Sequence, residues 1–303
     1  MREAISKALA NPAYVARITM LGAIFIWGSS FIVTKSTVEE VPPFILAFLR
    51  FMVASAFFFL IKRKQVSYRN IPVLPLIISG FFGITAFYAL INYGLIYTTV
   101  ASASAIQGTI PAISLLLGAI FLREKINLRK VIAVVLSISG IILIVSTAGS
   151  LMVSNEQMLG NILVLLSTFA GACYMVYCKQ LLGSIDYITF TAWMLLFGTL
   201  MLLPTAAMEL INLNGILAIS FFDVIKIFYL GVVSSALAYI LWHYALASIN
   251  SAEAGVYLNL IPVIAFAAGV LILKEAVVAQ NYFGCLLVVT GAYIANGKKI
   301  RTG

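Results

Sequence analysis

Residues 88–140 recur 151 positions further along the chain, with no gap. Tyr88 falls on Tyr239, Tyr93 on Tyr244, Leu95 on Leu246, Ala101 on Ala252 and Ala103 on Ala254. Pro111 then falls on Pro262, Gly118 on Gly269, Leu122 on Leu273, Glu124 on Glu275 and Gly140 on Gly291. Shared Leu and Ala say little where 63% of residues are hydrophobic. Matching Pro, Glu, Gly and Tyr in one register mean a duplicated unit. The repeats are expected at 1–149 and 150–303. In apolar chains built this way, the junction of the repeats is where a ligand can be enclosed.

Only 10% of residues are charged, and the mean hydropathy is +1.10. A soluble domain has about 25% charged residues, so the chain is read as an integral membrane protein. Apolar stretches of ~20 residues are long enough to cross the bilayer, and only helices satisfy the backbone of such segments. The sequence predicts an all-α fold of ten transmembrane helices, at 18–36, 43–61, 73–93, 101–121, 130–147, 160–181, 187–207, 225–247, 252–273 and 281–297. The run near Ile18 is itself span-length and lacks a small-residue cleavage site, so it is read as a helix and not a leader.

With both termini cytoplasmic, fifteen Lys and Arg flank the inner face, and only Lys226 and Lys274 lie in outer loops. This imbalance predicts a multi-pass protein with that orientation. Five helices per repeat is odd, so the second repeat enters the membrane upside down. The net charge of +9 sits in short loops beside spans, which argues against nucleic acid as a partner. Cys173, Cys178 and Cys285 lie inside spans and form no ligand cluster, so neither a metal nor any other cofactor is expected. No paired-carboxylate motif, HExxH or GxSxG occurs, and the chain is not expected to be an enzyme.

The run WGSSFIVTK at 27–35, with Arg50 on the following span, resembles the first-repeat opening of the EamA-type drug/metabolite transporter superfamily. The stretches NYGLIYTTVASASAIQGTIPAISLLLGAIFLREKI at 92–126 and WHYALASINSAEAGVYLNLIPVIAFAAGVLILKEAV at 242–278 resemble its paired repeat motifs. The resemblance spans nearly the whole chain. It implies a secondary carrier of the bacterial cytoplasmic membrane that exports amino acids or similar metabolites. Spans 1, 3, 4, 6, 8 and 9 would surround its central cavity. At Gly171 the chain departs from the family, which often has an aromatic there.

Tyr88 and Asn92 are one helical turn apart and share a face, as do their repeat mates Tyr239 and His243. Related by the repeat, the two pairs would face one cavity from opposite sides and hydrogen-bond a substrate; the alternative is bonding to neighbouring helices. His243, the single histidine, is a candidate proton carrier because imidazole titrates near neutral pH. Glu253, at the start of the ninth span, is a candidate ion-coupling group or a helix-end carboxylate.

Trp27, Ser30 and Phe31 on the first span, with Tyr174 and Tyr177 on the sixth, would supply aromatic walls suited to a zwitterionic or apolar metabolite; the alternative is packing or anchoring at the membrane boundary. Gln107, Tyr257 and Asn259 complete the expected lining, since mid-span amides need partners. Arg50 is a candidate for a substrate carboxylate or for bonds between helices. Lys35 can snorkel to water. Pro111 and Pro262 each remove a backbone bond at matching places and are candidate hinges. Gly118 and Gly269 are read as close-packing positions, and Arg123-Glu124 and Lys274-Glu275 as anchors at opposite faces.

These features favour a carrier for a small-molecule substrate in the lipid bilayer, with one chain able to complete the cavity. A sugar-phosphate or nucleotide-sugar exchanger on the same fold would want several mid-span cations, and only Arg50 is offered. Multidrug efflux stays open, because aromatic cavities need not be selective.

Overall fold

The computed structural model describes residues 12–61, 64–69, 71–121, 128–146, 155–182, 184–215, 217, 219–248, 257–258, 260–275 and 277–296. Every regular element among them is helical: α1 (Pro12–Val38), α2 (Pro43–Ile61), α3 (Val73–Tyr97), α4 (Val100–Gln107) and α5 (Ile110–Phe121). There follow α6 (Leu128–Ser146), α7 (Asn155–Leu181), α8 (Tyr187–Asn212), α9 (Phe221–Ser248), α10 (Leu260–Leu271) and α11 (Ala279–Asn296). Seven candidate membrane spans are long and apolar enough to cross a bilayer, with shorter apolar helices at Val131–Gly140 and Leu260–Leu271. Their outward faces carry Phe25, Leu60, Ile142, Leu203, Ile211 and Leu286, as expected of lipid-facing surface.

The most extensive helix contacts join the first half of the chain to the second: α6 with α11, α3 with α7, α2 with α8, and α1 with both α9 and α10. α4 lies against α10 and α7. Two of these helices are not regular. α3 is π-helical over Phe81–Ala86 and α9 over Tyr229–Leu237. At both places a glycine admits a helix from the other half. A Cβ on Gly80 would lie 2.8 Å from the Met194 carbonyl of α8. One on Gly231 would lie 2.8 Å from the Arg50 carbonyl of α2. The 151-residue offset superimposes Gly80 on Gly231.

The fourth expected span is broken at Gly108 and Thr109, between α4 and α5. Pro111 dictates this, because it cannot donate to the Gln107 carbonyl and its ring crowds that group. Gly108 leaves the room into which Pro262 fits; a Cβ there would lie 3.0 Å from the proline ring. Pro262 of α10 thus packs at the break between α4 and α5 that precedes Pro111.

At one end of the bundle, side chains from the second half satisfy the free amides of first-half helices. Glu209 Oε2 accepts from Phe44 and Ile45 at 3.0 and 2.8 Å, just after the proline that starts α2. Glu275 accepts from Val100 and Ala101 at 2.7 and 2.9 Å, while Thr99 caps the same helix by accepting from Ser102. Lys274, with φ 52°, turns the chain at the end of α10 and returns Glu275 across it. The returning carboxylate passes over Gly269, where a Cβ would meet it at 2.6 Å. Gly269 is thus a close-packing position, and Glu275 caps a helix of the other half besides ending its own. Arg123, Glu124 and Glu253 lie outside the described residues. At the same end Lys35 donates to the Leu95 carbonyl at 2.6 Å, and Lys226 to the Ser36 carbonyl at 3.3 Å.

Glu275→Ala strands the amides of Val100 and Ala101, both on fully buried residues. It is expected to destabilise the protein by about 1–3 kcal/mol, read as a lower melting temperature in detergent. The exposed neighbour variant Lys274→Ala serves as control and shifts it by about 0.5 kcal/mol or less.

Candidate functional site

The two π-helical segments meet the opposite half through aromatic donors. Trp27 Nε1 of α1 donates to the Ser234 carbonyl of α9 at 3.1 Å, and Tyr239 Oη of α9 donates to the Gly83 carbonyl of α3 at 3.1 Å. Gly83 and Ser234 are themselves repeat mates. Both carbonyls lie within the π-helical segments, where the hydrogen-bond ladder shifts from i→i−4 to i→i−5. Trp27 and Tyr239 then pack edge to face, ring centroids 5.3 Å apart. Trp242 tilts against Trp27 at 5.6 Å, and Tyr174 stands edge-on to Tyr239 at 6.4 Å.

These rings border a cavity between the halves that offers about 110 Å³ to the centres of water-sized molecules. Eight of the residues singled out from sequence line it: Trp27, Ser30, Phe31, Tyr88, Asn92, Gln107, Tyr174 and Tyr239. Tyr177 instead lies on the outside of α7, 37% exposed, and Tyr257 packs against the buried cluster that includes Ala16, Met20 and Trp242. Asn259 lies outside the described residues. Pro111 and Pro262 stand in the first turns of α5 and α10, away from the lining.

His243 is fully buried behind the wall and makes no contact with the cavity. Its ring nitrogens face Tyr174 Oη at 2.5 Å and Thr191 Oγ1 at 2.7 Å. Thr191 spends its hydroxyl proton on the Tyr187 carbonyl. Its oxygen therefore accepts from His243 Nδ1–H, which leaves Nε2 to accept from Tyr174. This closed chain of a neutral imidazole fixes the Tyr174 ring. The other face of that ring rests on Gly83, where a Cβ would lie 2.6 Å away.

Thr34, Phe87 and Trp242 also line the cavity, as does Arg50. Trp242 was within reach of the repeat register: it falls on Ile91, which lines the opposite wall one turn from Tyr88. Phe87 accounts for Gly171. Its ring fills the place of a side chain there, at 2.8 Å from a Cβ. The aromatic that the family often carries at this point is supplied here from α3. Arg50 is 1% exposed, with its guanidinium carbon 4.5 Å above the Tyr88 ring and 5.1 Å from that of Phe51. Its Nε donates to Ser235 Oγ at 3.1 Å and an Nη to Ser234 Oγ at 3.2 Å. No carboxylate among the described residues pairs with it.

An apolar helical bundle with an aromatic, sparsely polar chamber between its halves is the form of a membrane transporter. The EamA-like transporter family model matches residues 15–146 and again 158–297, and the chain belongs to that family. An uncharacterized transporter of Archaeoglobus fulgidus is 30% identical, covering 93% of this chain and 99% of its own. A probable amino-acid metabolite efflux pump of Escherichia coli is 24% identical, over 91% of this chain and 93% of its own. A solved crystal structure shares the fold at TM-score 0.66 and 19% identity, over 92% of this chain and 96% of that one.

Gly171→Phe drives a second ring into Phe87 and is expected to cost about 1–3 kcal/mol of stability, recovered in large part by Phe87→Ala in the same chain. Thermal unfolding of the two single variants and the double variant gives the coupling. Tyr174→Phe leaves His243 Nε2 buried without a donor, and is expected to lower stability by about 1–3 kcal/mol on the same assay.

Proposed function

We propose that this chain is a secondary carrier that exports amino acids or similar small metabolites across the bacterial cytoplasmic membrane by alternating access. Its ten helices form two inverted five-helix repeats, 1–149 and 150–303, within one transport unit, and both termini are cytoplasmic. The observation that carries this reading is the chamber bordered by Trp27 and Tyr239, each bonded to a repeat-related carbonyl of the other half.

Three further facts support it. The helix pairings exchange among themselves when the halves are swapped: α1 with α9 answers α7 with α3, and α2 with α8 answers itself. The family model matches twice, once in each half. With both termini cytoplasmic, as the Lys and Arg distribution favours, the Glu209, Glu275, Lys35 and Lys226 ties would lie on the outer face. A carrier releasing substrate outward must break such ties. Pro262 seated on Gly108 gives the rocking motion a place to bend. Export of amino acids rests on the family and on the efflux-pump relative.

The test is efflux from liposomes containing the purified chain and loaded with radiolabelled amino acids, with and without a pH gradient. Efflux above protein-free vesicles, reduced at least tenfold by Tyr239→Ala or Tyr88→Ala, is the expected result. Amino acids, sugar phosphates, nucleosides and cationic drugs all failing to move in folded protein would overturn the carrier reading. If the gradient alters the rate, His243 and Glu253 are the groups to replace next.

A further inference from the structure

We propose that Arg50 is the anchor for a substrate carboxylate, so that the carrier selects solutes bearing one carboxylate and discriminates against amines and phosphate esters of otherwise similar shape. This rests on the transport reading and narrows it to a substrate class and an orientation.

Arg50 is the one charged residue among the described lining of the cavity, and no acid accompanies it there. A guanidinium held at 1% exposure in the middle of a span is costly without a counter-charge. The protein supplies only neutral partners: two serine hydroxyls and the faces of two aromatic rings. Cation–π contact and neutral hydrogen bonds offset part of the cost and leave the charge itself unmatched. Two of the five donors are engaged by described acceptors, so a planar fork remains for a carboxylate, whose geometry it matches. The two serines and Tyr88 fix the plane of that fork before any ligand arrives.

Three other lining residues carry buried polar atoms without a partner. Asn92 gives its amide N–H to the Pro43 carbonyl at 3.2 Å, which fixes its orientation and leaves Oδ1 unused. Gln107 Nε2 and Trp242 Nε1 are likewise unmet. Buried polar atoms are nearly always satisfied, so these point to a ligand that brings a donor and an acceptor. Asn92 is one turn from Tyr88 on the wall over which Arg50 lies. A carboxylate on Arg50 thus places the ammonium group of an α-amino acid toward Asn92 Oδ1, and the side chain against Phe31, Phe87 and Trp242. A phosphate monoester brings a second negative charge for which the described lining holds no cation. A lone amine brings a positive charge to a chamber that already has one.

The test uses the full chain in detergent and in liposomes. The probes are L-leucine, L-phenylalanine and L-serine, each beside its primary amide and its decarboxylated amine. Binding is measured calorimetrically and transport by counterflow. At least one amino acid is expected to bind, with its amide and its amine weaker by tenfold or more. Arg50→Gln is expected to remove that preference by weakening the acid and sparing the amide, a change that mere loosening of the bundle would not produce. Arg50→Lys keeps the charge without the fork, and serves if the glutamine variant does not fold; it is expected to retain acid binding with the preference reduced severalfold. An amide or amine that binds as tightly as its acid overturns the proposal, as does a folded Arg50→Gln that keeps the wild-type preference. Counterflow of a nucleoside, sugar phosphate or cationic drug with none of the amino acids overturns the carboxylate anchor and leaves the carrier reading intact. Silence toward every solute overturns both.

Discussion

Everything about the chamber depends on how closely α2 and α8 approach the π-helical turns of α9 and α3. At Gly80 the backbone of α3 lies against that of α8, and at Gly231 the backbone of α9 meets the Val53 side chain and the Arg50 carbonyl of α2. That closeness lets serines of one half reach Arg50 of the other. The same widened turns turn carbonyls toward Trp27 and Tyr239. The Ser234 and Gly83 carbonyls, each within a π-helical turn, accept the indole and the phenol from the other half. The aromatic walls are therefore as much a product of backbone geometry as of residue type.

The duplicated register, the apolar helical character and most of the chamber wall were legible in the sequence. Helix periodicity puts Tyr88 and Asn92 on one face, and the 151-residue offset carries that face to Tyr239. What the sequence could not convey is where symmetry lapses. Asn92 and His243 are repeat mates, yet one borders the chamber and the other lies behind it, tied between Tyr174 and Thr191. Nothing in a pattern of spacings distinguishes a residue at the wall from one just behind. The π-helical turns were equally hidden, since no local signal separates them from ordinary helix. Glu275 looked like a charge finishing its own span. Only the left-handed Lys274 and the empty place at Gly269 show that it returns to cap α4.

The wall chemistry is economical. Large rings supply shape, and three of the polar ones are restrained by bonds to neighbouring helices: Trp27 by Ser234, Tyr239 by Gly83, Tyr174 by His243. Restraint of this kind removes rotamer freedom before a solute enters, so less ordering remains to oppose binding. It also leaves few polar groups unmet, and those few set the chemistry that the chamber can accept.

The pairing of helices has a consequence for biosynthesis. Because the broadest contacts run between halves, residues 12–146 reach the bilayer before the surfaces they will pack against exist. Gly80, Gly94 and Gly140 then present bare backbone to lipid until α8, α7 and α11 arrive. The amides that open α2 and α4 wait at the membrane surface for Glu209 and Glu275. Insertion and assembly are thus separated in time, and the early half must remain in the membrane as individually stable helices, held open for a partner still on the ribosome.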